Sequence, residues 1–320
     1  MKNYFIGGSS KKAKQIVRKA SRLGYLETNS ELTALLAEAE LIKRHLPEQN
    51  VMLKKYSRAH FIKVNHLHEF PDVTSTSNFE FDGCDYFGPY NNNDTTKLLI
   101  DIIGKTYQLR ECSDKEFGKN KKCYLYDIKR CVAPCEFADS RNLYIDELNL
   151  VYDFICGKNQ NAIDRLLWKM KEFSENKKYE EAALIRDAVN LLLNQLNKTS
   201  IIAEPLNSTK LLVEISEGNK KDYLLFLEGK VLIKDFPLNE KEIFEEALDD
   251  YFSGTINLFR ELENKDLEQM KISLSWLVKN RNKVRLYYLR NYSVQEELYR
   301  DSSQGIRKSL QVKSQSYTQS

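Results

Sequence analysis

Four cysteines fall within 24 residues: Cys112, Cys123, Cys131 and Cys135, separated by ten, seven and three residues. Four thiolates are enough for a tetrahedral zinc shell or a cubane iron–sulfur cluster. The gaps match neither the paired CxxC of a zinc ribbon nor a ferredoxin run. On spacing alone, iron–sulfur, zinc and four buried free thiols all stay open. The polar composition of the stretch favours a metal or cluster over free core cysteines. Pro134 beside Cys135 stiffens the loop, and nearby lysines offset thiolate charge. The opening MKNYFIGGSSKKAKQ has no apolar core of a secretion signal, and no apolar run approaches the roughly 18–20 residues that cross a bilayer. The chain therefore reads as cytoplasmic, with no membrane segment. In a reducing compartment clustered thiols more often bind metal or do redox chemistry than form disulfides. Cys84 and Cys156 stand outside the spacing and read as structural.

A carboxylate is the second candidate. On a wheel at about 100° per residue, Leu32, Leu35, Ala39 and Ile42 share one face of ELTALLAEAELIKRH. Glu38 falls at the edge of that face and Glu40 opposite. A carboxylate turned into packed structure must be paired, protonated or bound to a cation. Both a metal role for Glu38 and a salt bridge to Lys or Arg remain open. His66-x-His68 is a weaker metal signal and reads as a pair of exposed loop histidines.

The elements that must position these groups follow from periodicity. SSKKAKQIVRKA predicts a short basic helix and RLGYLET a strand. SELTALLAEAELIKRHLP predicts an amphipathic helix ended by Pro47. FIKVN (61–65) and the alternation at 79–87 predict strands, and TTKLLIDIIGKTYQL a helix. Beyond the cysteines, Ile163, Leu166, Leu167, Met170 and Phe173 form one helical stripe. Tyr179, Ala182, Ala183, Arg186, Val189, Leu193 and Leu196 form another, with Asn176-Lys177-Lys178 as a polar break. That is an antiparallel hairpin whose apolar face needs a partner or another domain. KLLVEIS, DYLLFLE and KVLIKDF predict a three-stranded meander turning at EGN and EGK. Helices at 240–252 and 266–280 and a strand at 284–289 follow.

The class is α+β. Five segments are expected: 1–83, 84–140, 141–200, 201–300 and a disordered polar tail at 301–320. The net charge of +3 is uneven, since residues 1–63 hold 13 Lys and Arg against 5 Asp and Glu. A basic first segment suits a polyanion, because neutralised phosphates release counterions; a solvated lysine-rich face is the alternative.

The ordered run ELTALLAEAELIKRHLPEQN, FIKVNHLHEFP, DYFGPY, LRECSDKEF…CYLYDIKRCVAPC and FSENKKYEEAALIRDAVNLL resembles the UvrC subunit of the bacterial UvrABC excinuclease. It also resembles the Cho-type nucleases and the DnaQ–UvrC fusions. The likeness spans roughly residues 4–198. It implies a partial GIY-YIG α/β nuclease domain, a Cys-rich segment, a helical UVR hairpin and a small α+β C-terminal domain. It implies a divalent metal, Mg²⁺ or Mn²⁺, at Glu38 and an active-site asparagine at Asn50, and it matches FGPY to Phe87–Tyr90. It also implies an iron–sulfur cluster at Cys112, Cys123, Cys131 and Cys135, with zinc as the alternative. The hairpin, with Tyr179, Ala182, Ala183, Arg186 and Asp187 in its signature, would dock a UvrB-like helicase, and DNA would be the substrate in nucleotide excision repair.

Departures from the family pattern shape the expectation. The two strands that name the GIY-YIG domain, with their tyrosines and catalytic arginine, would lie before Met1, and Tyr4 and Arg18 do not fill those places. Little or no cleavage is therefore expected of this chain as written. The alternative is a non-catalytic DNA- and UvrB-binding module. A zinc-dependent nucleic-acid protein with only architectural likeness is a third reading. No second nuclease is assigned to residues 201–300, where Asp222 reads as a turn residue and Asp249-Asp250 as helical.

Overall fold

Two helices open the described chain, α1 (Lys11–Lys19) and α2 (Glu31–His45). The computed structural model describes residues 11–302 except 51, 57, 91, 159, 200, 239–242 and 256–260; side chains at 12–13 and 191–199 are also outside the described set. The expected tail beyond Ser302 therefore lies outside the described residues, as do the side chains of Leu193 and Leu196. Ser30 caps α2 by accepting from the Thr33 N–H at 3.1 Å. Leu46, at φ 43°, turns the chain out of the helix just before Pro47. RLGYLET, expected as a strand, takes no regular structure. A strand needs a neighbouring backbone to pair with, and here Leu23 and Tyr25 stand 72% and 84% exposed.

The first sheet joins β1 (His60–Asn65), β2 (Asp72–Thr76) and β3 (Asp85–Tyr90) in the order β2-β1-β3, antiparallel throughout. The boundary expected near residue 83 falls inside this sheet, between β2 and β3. The alternation at 79–87 builds a strand only from Asp85 onward. Phe79 instead stacks on Tyr86 and meets Phe61, with ring centroids 4.8 and 5.4 Å away. The β1–β3 register shifts between His60 and Ile62, opposite FGPY. Gly88 sits there at φ +137°, and a Cβ would lie 3.0 Å from the His60 carbonyl oxygen, so only glycine fits the bulge.

Four helices follow before the hairpin: α3 (Asn93–Thr106), short α4 (Asp114–Phe117) and α5 (Tyr124–Asp127), and α6 (Arg141–Ile155). The predicted hairpin is α7 (Asn161–Glu175) and α8 (Tyr179–Thr199). The predicted meander is β4 (Lys210–Glu217), β5 (Lys220–Leu227) and β6 (Lys230–Ile233). After α9 (Ile243–Ser253) and α10 (Asn264–Lys279) comes β7 (Val284–Tyr288), and α11 (Gln295–Asp301) closes the described chain. β7 pairs antiparallel with β4, giving the order β6-β5-β4-β7.

Both sheets bury both faces. Ile62, Val64 and Phe87 pack with α3, α6 and the base of the hairpin. Phe61 and Tyr86, on the other face, share a core with Leu32 and Leu36 of α2, Leu211, Val213, Leu224 and Phe226 of the second sheet, and Met270 and Leu277 of α10. The second sheet's far face, with Leu212, Tyr223 and Leu225, is covered by α9 and α11. The sequence pattern changes near residue 200, yet one core runs across it.

Candidate functional site

The helix carrying Glu38 is fixed by the C-terminal sheet and α10. Asp222 of β5 is buried, and its carboxylate accepts from Ser30 Oγ at 2.5 Å, from Thr33 Oγ1, and from the Tyr223 N–H at 3.0 Å. Burial pushes this carboxyl above its ordinary range, and the three donors pull the other way. Trp276 Nε1 donates to Glu31 at 2.9 Å, and the Glu31 N–H donates to Glu217 at 2.9 Å. At the other end Lys43 pairs with Glu268 and Glu40 with Lys265 at 3.3 Å.

These contacts correct the helical wheel. Glu40, expected to face outward, is drawn into ion pairs with Lys265 and, at 2.8 Å, with Arg44. Leu35, expected in the apolar face, is exposed. Packing against α10 rotates the buried face toward Leu32, Thr33, Leu36, Ala37 and Ala39. Asp222, read as a turn residue, lies inside β5 on the core-facing side with Leu224 and Phe226. Asp249 and Asp250 are helical, as expected.

The stripe left open on α2 is Ala34, Glu38, Leu41 and His45. With Leu26, Thr28, Pro47 and Asn50 it lines a groove of about 400 Å³. Glu38 and Asn50 thus meet in one cleft. Glu38 is exposed, and no hydrogen bond or ion pair engages it among the described residues. The salt bridge considered for it belongs to Glu40. The Asn50 N–H donates to the Pro47 carbonyl at 3.1 Å, closing the turn that folds the asparagine back beside the helix. Sequence reasoning missed His45, although its spacing from Ala34, Glu38 and Leu41 is helical. Among the described residues, Glu38 is the one carboxylate lining the groove. That suits Mg²⁺ or Mn²⁺, since Mg²⁺ binds through one or two carboxylates and keeps other positions for water and phosphate oxygens.

The cysteine segment is held differently. Arg110, its side chain 1% exposed, donates to the Phe70 carbonyl at 2.6 Å and the Cys112 carbonyl at 3.3 Å. It also pairs with Asp72 and Asp114 at 3.1 and 2.8 Å. Arg130 donates to the Gly104 carbonyl at 2.9 Å and pairs with Glu111 at 2.8 Å. A Cβ on Gly104 would lie 2.9 and 3.0 Å from those two side chains, so the glycine admits the clasp. Asn120, Lys129 and Ala133 have φ between 50° and 57°, a tight winding costly for non-glycine residues.

Cys131 is buried, Cys112 and Cys135 half-buried and Cys123 exposed. Burial pushes the Cys131 thiol up to about 11, and the fields of Cys112, Cys123 and Cys135 add to the rise. Cys112 and Cys135 are raised too, first by burial, then Cys112 by the fields of Cys135 and Cys123 and Cys135 by that of Cys123. All four therefore lie in one neighbourhood, and the donor set suits iron or zinc. In this arrangement no group of three or more His, Cys, Asp or Glu among the described residues is gathered as a metal shell. Cys84 and Cys156 are buried apart from them. His66 bonds Asp85 at 3.1 Å and the Tyr152 hydroxyl at 2.6 Å, and His68 Nδ1 accepts from the Phe70 N–H at 3.0 Å. Both are engaged locally rather than paired as ligands.

The hairpin has two halves. Ala162, Ile163, Leu166 and Val189 are buried in the core around α3 and α6. Toward the turn, Leu167, Trp168, Tyr179 and Leu184 are exposed, so Leu167 leaves the stripe predicted for it. Arg186 pairs with its neighbour Asp187 at 2.8 Å. No helix among the described residues is long and apolar enough to cross a membrane.

Residues 59–154 match the family model of the UvrC/Cho excinuclease middle domain. The UvrABC system protein C of Clostridium botulinum strain Hall is 29% identical over 280 residues, covering 84% of this chain and 45% of that relative. That of Lachnospira eligens is 33% identical over 270 residues, 80% of this chain and 44% of the relative. That of Acetivibrio thermocellus is 28% identical over 292 residues, 87% and 47%. The chain spans about half the length of these curated relatives. A continuous match over 84% of the chain must run through the β4–β6 meander, beyond the stretch at 4–198 where the motifs lie. No solved structure matches the chain.

Proposed function

Because the chain is of the UvrC type, with the UvrC/Cho middle domain at residues 59–154, we propose that it acts on DNA in nucleotide excision repair. In this reading α2 and the turn after it are part of a GIY-YIG nuclease site. Glu38 holds Mg²⁺ or Mn²⁺, and Asn50 orients the phosphodiester or a water beside it. A divalent ion there would stabilise charge on the phosphate as a Lewis acid. The observation that carries the reading is that Glu38 and Asn50 line one groove on the face of α2 that packing leaves free.

One carboxylate and one amide do not by themselves activate a water, so incision by this chain alone is not expected. The exposed face of α1, with Lys11, Lys14, Arg18 and Lys19, supports contact with the DNA backbone. The four cysteines are assigned an iron–sulfur cluster, with zinc as the alternative, that fixes the segment between α3 and α6.

The second reading, a non-catalytic module binding DNA and a UvrB-like helicase, draws on the hairpin. Trp168 and Leu184 are 64% and 71% exposed beyond a firmly docked base, as a helix-in-groove contact requires. The two readings separate on Mn²⁺ binding in the presence of duplex DNA, followed by electron paramagnetic resonance. Glu38→Gln should weaken Mn²⁺ at least about tenfold while leaving DNA affinity in place. Equal Mn²⁺ affinity in both proteins would remove the nuclease reading and leave the binding module.

A further inference from the structure

A groove of about 720 Å³ opens beside the cysteine segment; Cys131 forms part of its lining, and the rest of its wall has no role above. Its wall holds Tyr126 and Phe137, whose ring centroids are 5.3 Å apart. Lys122 Nζ lies 4.8 Å from the centre of the Tyr126 ring, and Lys129 sits on the rim. Gln108 braces that rim by donating to the Lys129 carbonyl at 3.2 Å. The exposed Ile128 and Leu143 add apolar surface in an otherwise polar stretch. Residues 115–130 carry six Lys or Arg against two Asp or Glu. A half-exposed aromatic ring amid lysines is the chemistry that stacks a base while gripping its backbone.

We propose that this groove receives an unpaired nucleotide of a single-stranded nucleic acid, with the base against Tyr126 and the phosphates on Lys122 and Lys129. The groove's charges set the direction of entry. Asp127 and Asp139 also line it, and two carboxylates repel a phosphate but accept hydrogen bonds from a base amino group. The base goes in and the phosphates stay at the rim. A volume of this size suits one nucleotide. The proposal rests on the chain being a nucleic-acid binder and adds which strand form it holds and where. A protein partner would use the apolar surface but would have no need of the lysines.

The test is fluorescence anisotropy on the full chain prepared without oxygen. The probes are a labelled single-stranded DNA 12-mer, the same sequence as RNA, and the blunt duplex. Tyr126→Ala should weaken single-strand binding by about tenfold and change duplex binding by less than about twofold. Tyr126→Leu keeps apolar packing on Phe137 and should lose as much, whereas Tyr126→Phe should retain binding. Tyr124→Ala, an exposed tyrosine outside the groove, should bind like the parent. Retained single-strand affinity in Tyr126→Leu, or an equal loss on duplex, overturns the groove and leaves DNA binding standing. Parent protein that binds no probe overturns the nucleic-acid reading as well. The RNA and DNA arms identify which strand the groove holds. Metal content and circular dichroism of each variant confirm that the loop is intact.

Discussion

The helix bearing Glu38 and the segment bearing the four cysteines are positioned by opposite means. α2 is held along its length by partners far away in sequence: Asp222, Trp276, Glu268 and Lys265. Its open stripe, with Glu38, is what packing leaves over, so the groove exists without any ligand. The cysteine segment hangs on two arginines, Arg110 and Arg130, with short helices between. Its thiols share a neighbourhood but form no shell unaided. A rigid element presents a site; a loop of polar residues needs its ligand to finish it.

Three measurements press on that contrast. The largest effect should come from Leu36→Ala, which empties part of the core common to α2, the second sheet and α10. Loss of about 3 kcal/mol is expected in urea unfolding, and it should appear in the C-terminal sheet as well as in α2. A loss confined to residues before 200, read by hydrogen exchange, would show that the core is not shared. Next is Asp222→Ala, which strands the Ser30 and Thr33 hydroxyls and should cost about 2 kcal/mol. Because this change acts through the cap of α2, Ser30→Ala combined with it should add much less than it costs alone.

The smallest effect tests the cysteine side by pH. In the folded, metal-free chain Cys131 keeps its proton up to about 11, whereas in the unfolded chain a thiol ionises near its ordinary value of about 8.5. The folded state therefore holds more protons in that window. Its stability is intact below about pH 8.5 and declines as pH rises toward 11. Cys131→Ser should flatten part of this decline in thermal melts, Cys156 supplying a similar share because it too is pushed up to about 11. Bound iron or zinc, which takes the thiolate, should remove it. A melt insensitive to pH over this range in the metal-free parent would contradict the burial assigned to Cys131.

Much of this arrangement was legible in advance because it is local. Helical spacing announced α2, α3, α7 and α8, and period two announced the meander. β2 escaped because DVTST has a single apolar residue to mark a face. RLGYLET misled because alternation says which face a strand would bury but not whether a neighbour exists to pair with it. Glu38 was singled out by its place on the helical wheel and Asn50 by motif likeness, and their shared groove then followed from a turn four residues long. Glu40's ion pairs, the buried Asp222 and the hub at Arg110 depend on contacts across many residues, which no window along the chain contains. The face shared by Asp222, Leu224 and Phe226 was nonetheless a usable clue, since period two put the carboxylate on the apolar side.

The shared core also sets an order of events during synthesis. Leu36 leaves the ribosome about 240 residues ahead of Leu277, which covers it in the finished fold. At roughly 5–20 residues per second, α2 waits on the order of ten to fifty seconds with its apolar stripe uncovered. Through that interval the nascent chain offers a sticky helix to chaperones or to other copies. Mutations late in the chain, in β4, β5 or α10, would thus be felt at its beginning, as slow maturation or aggregation of a segment they never touch in sequence.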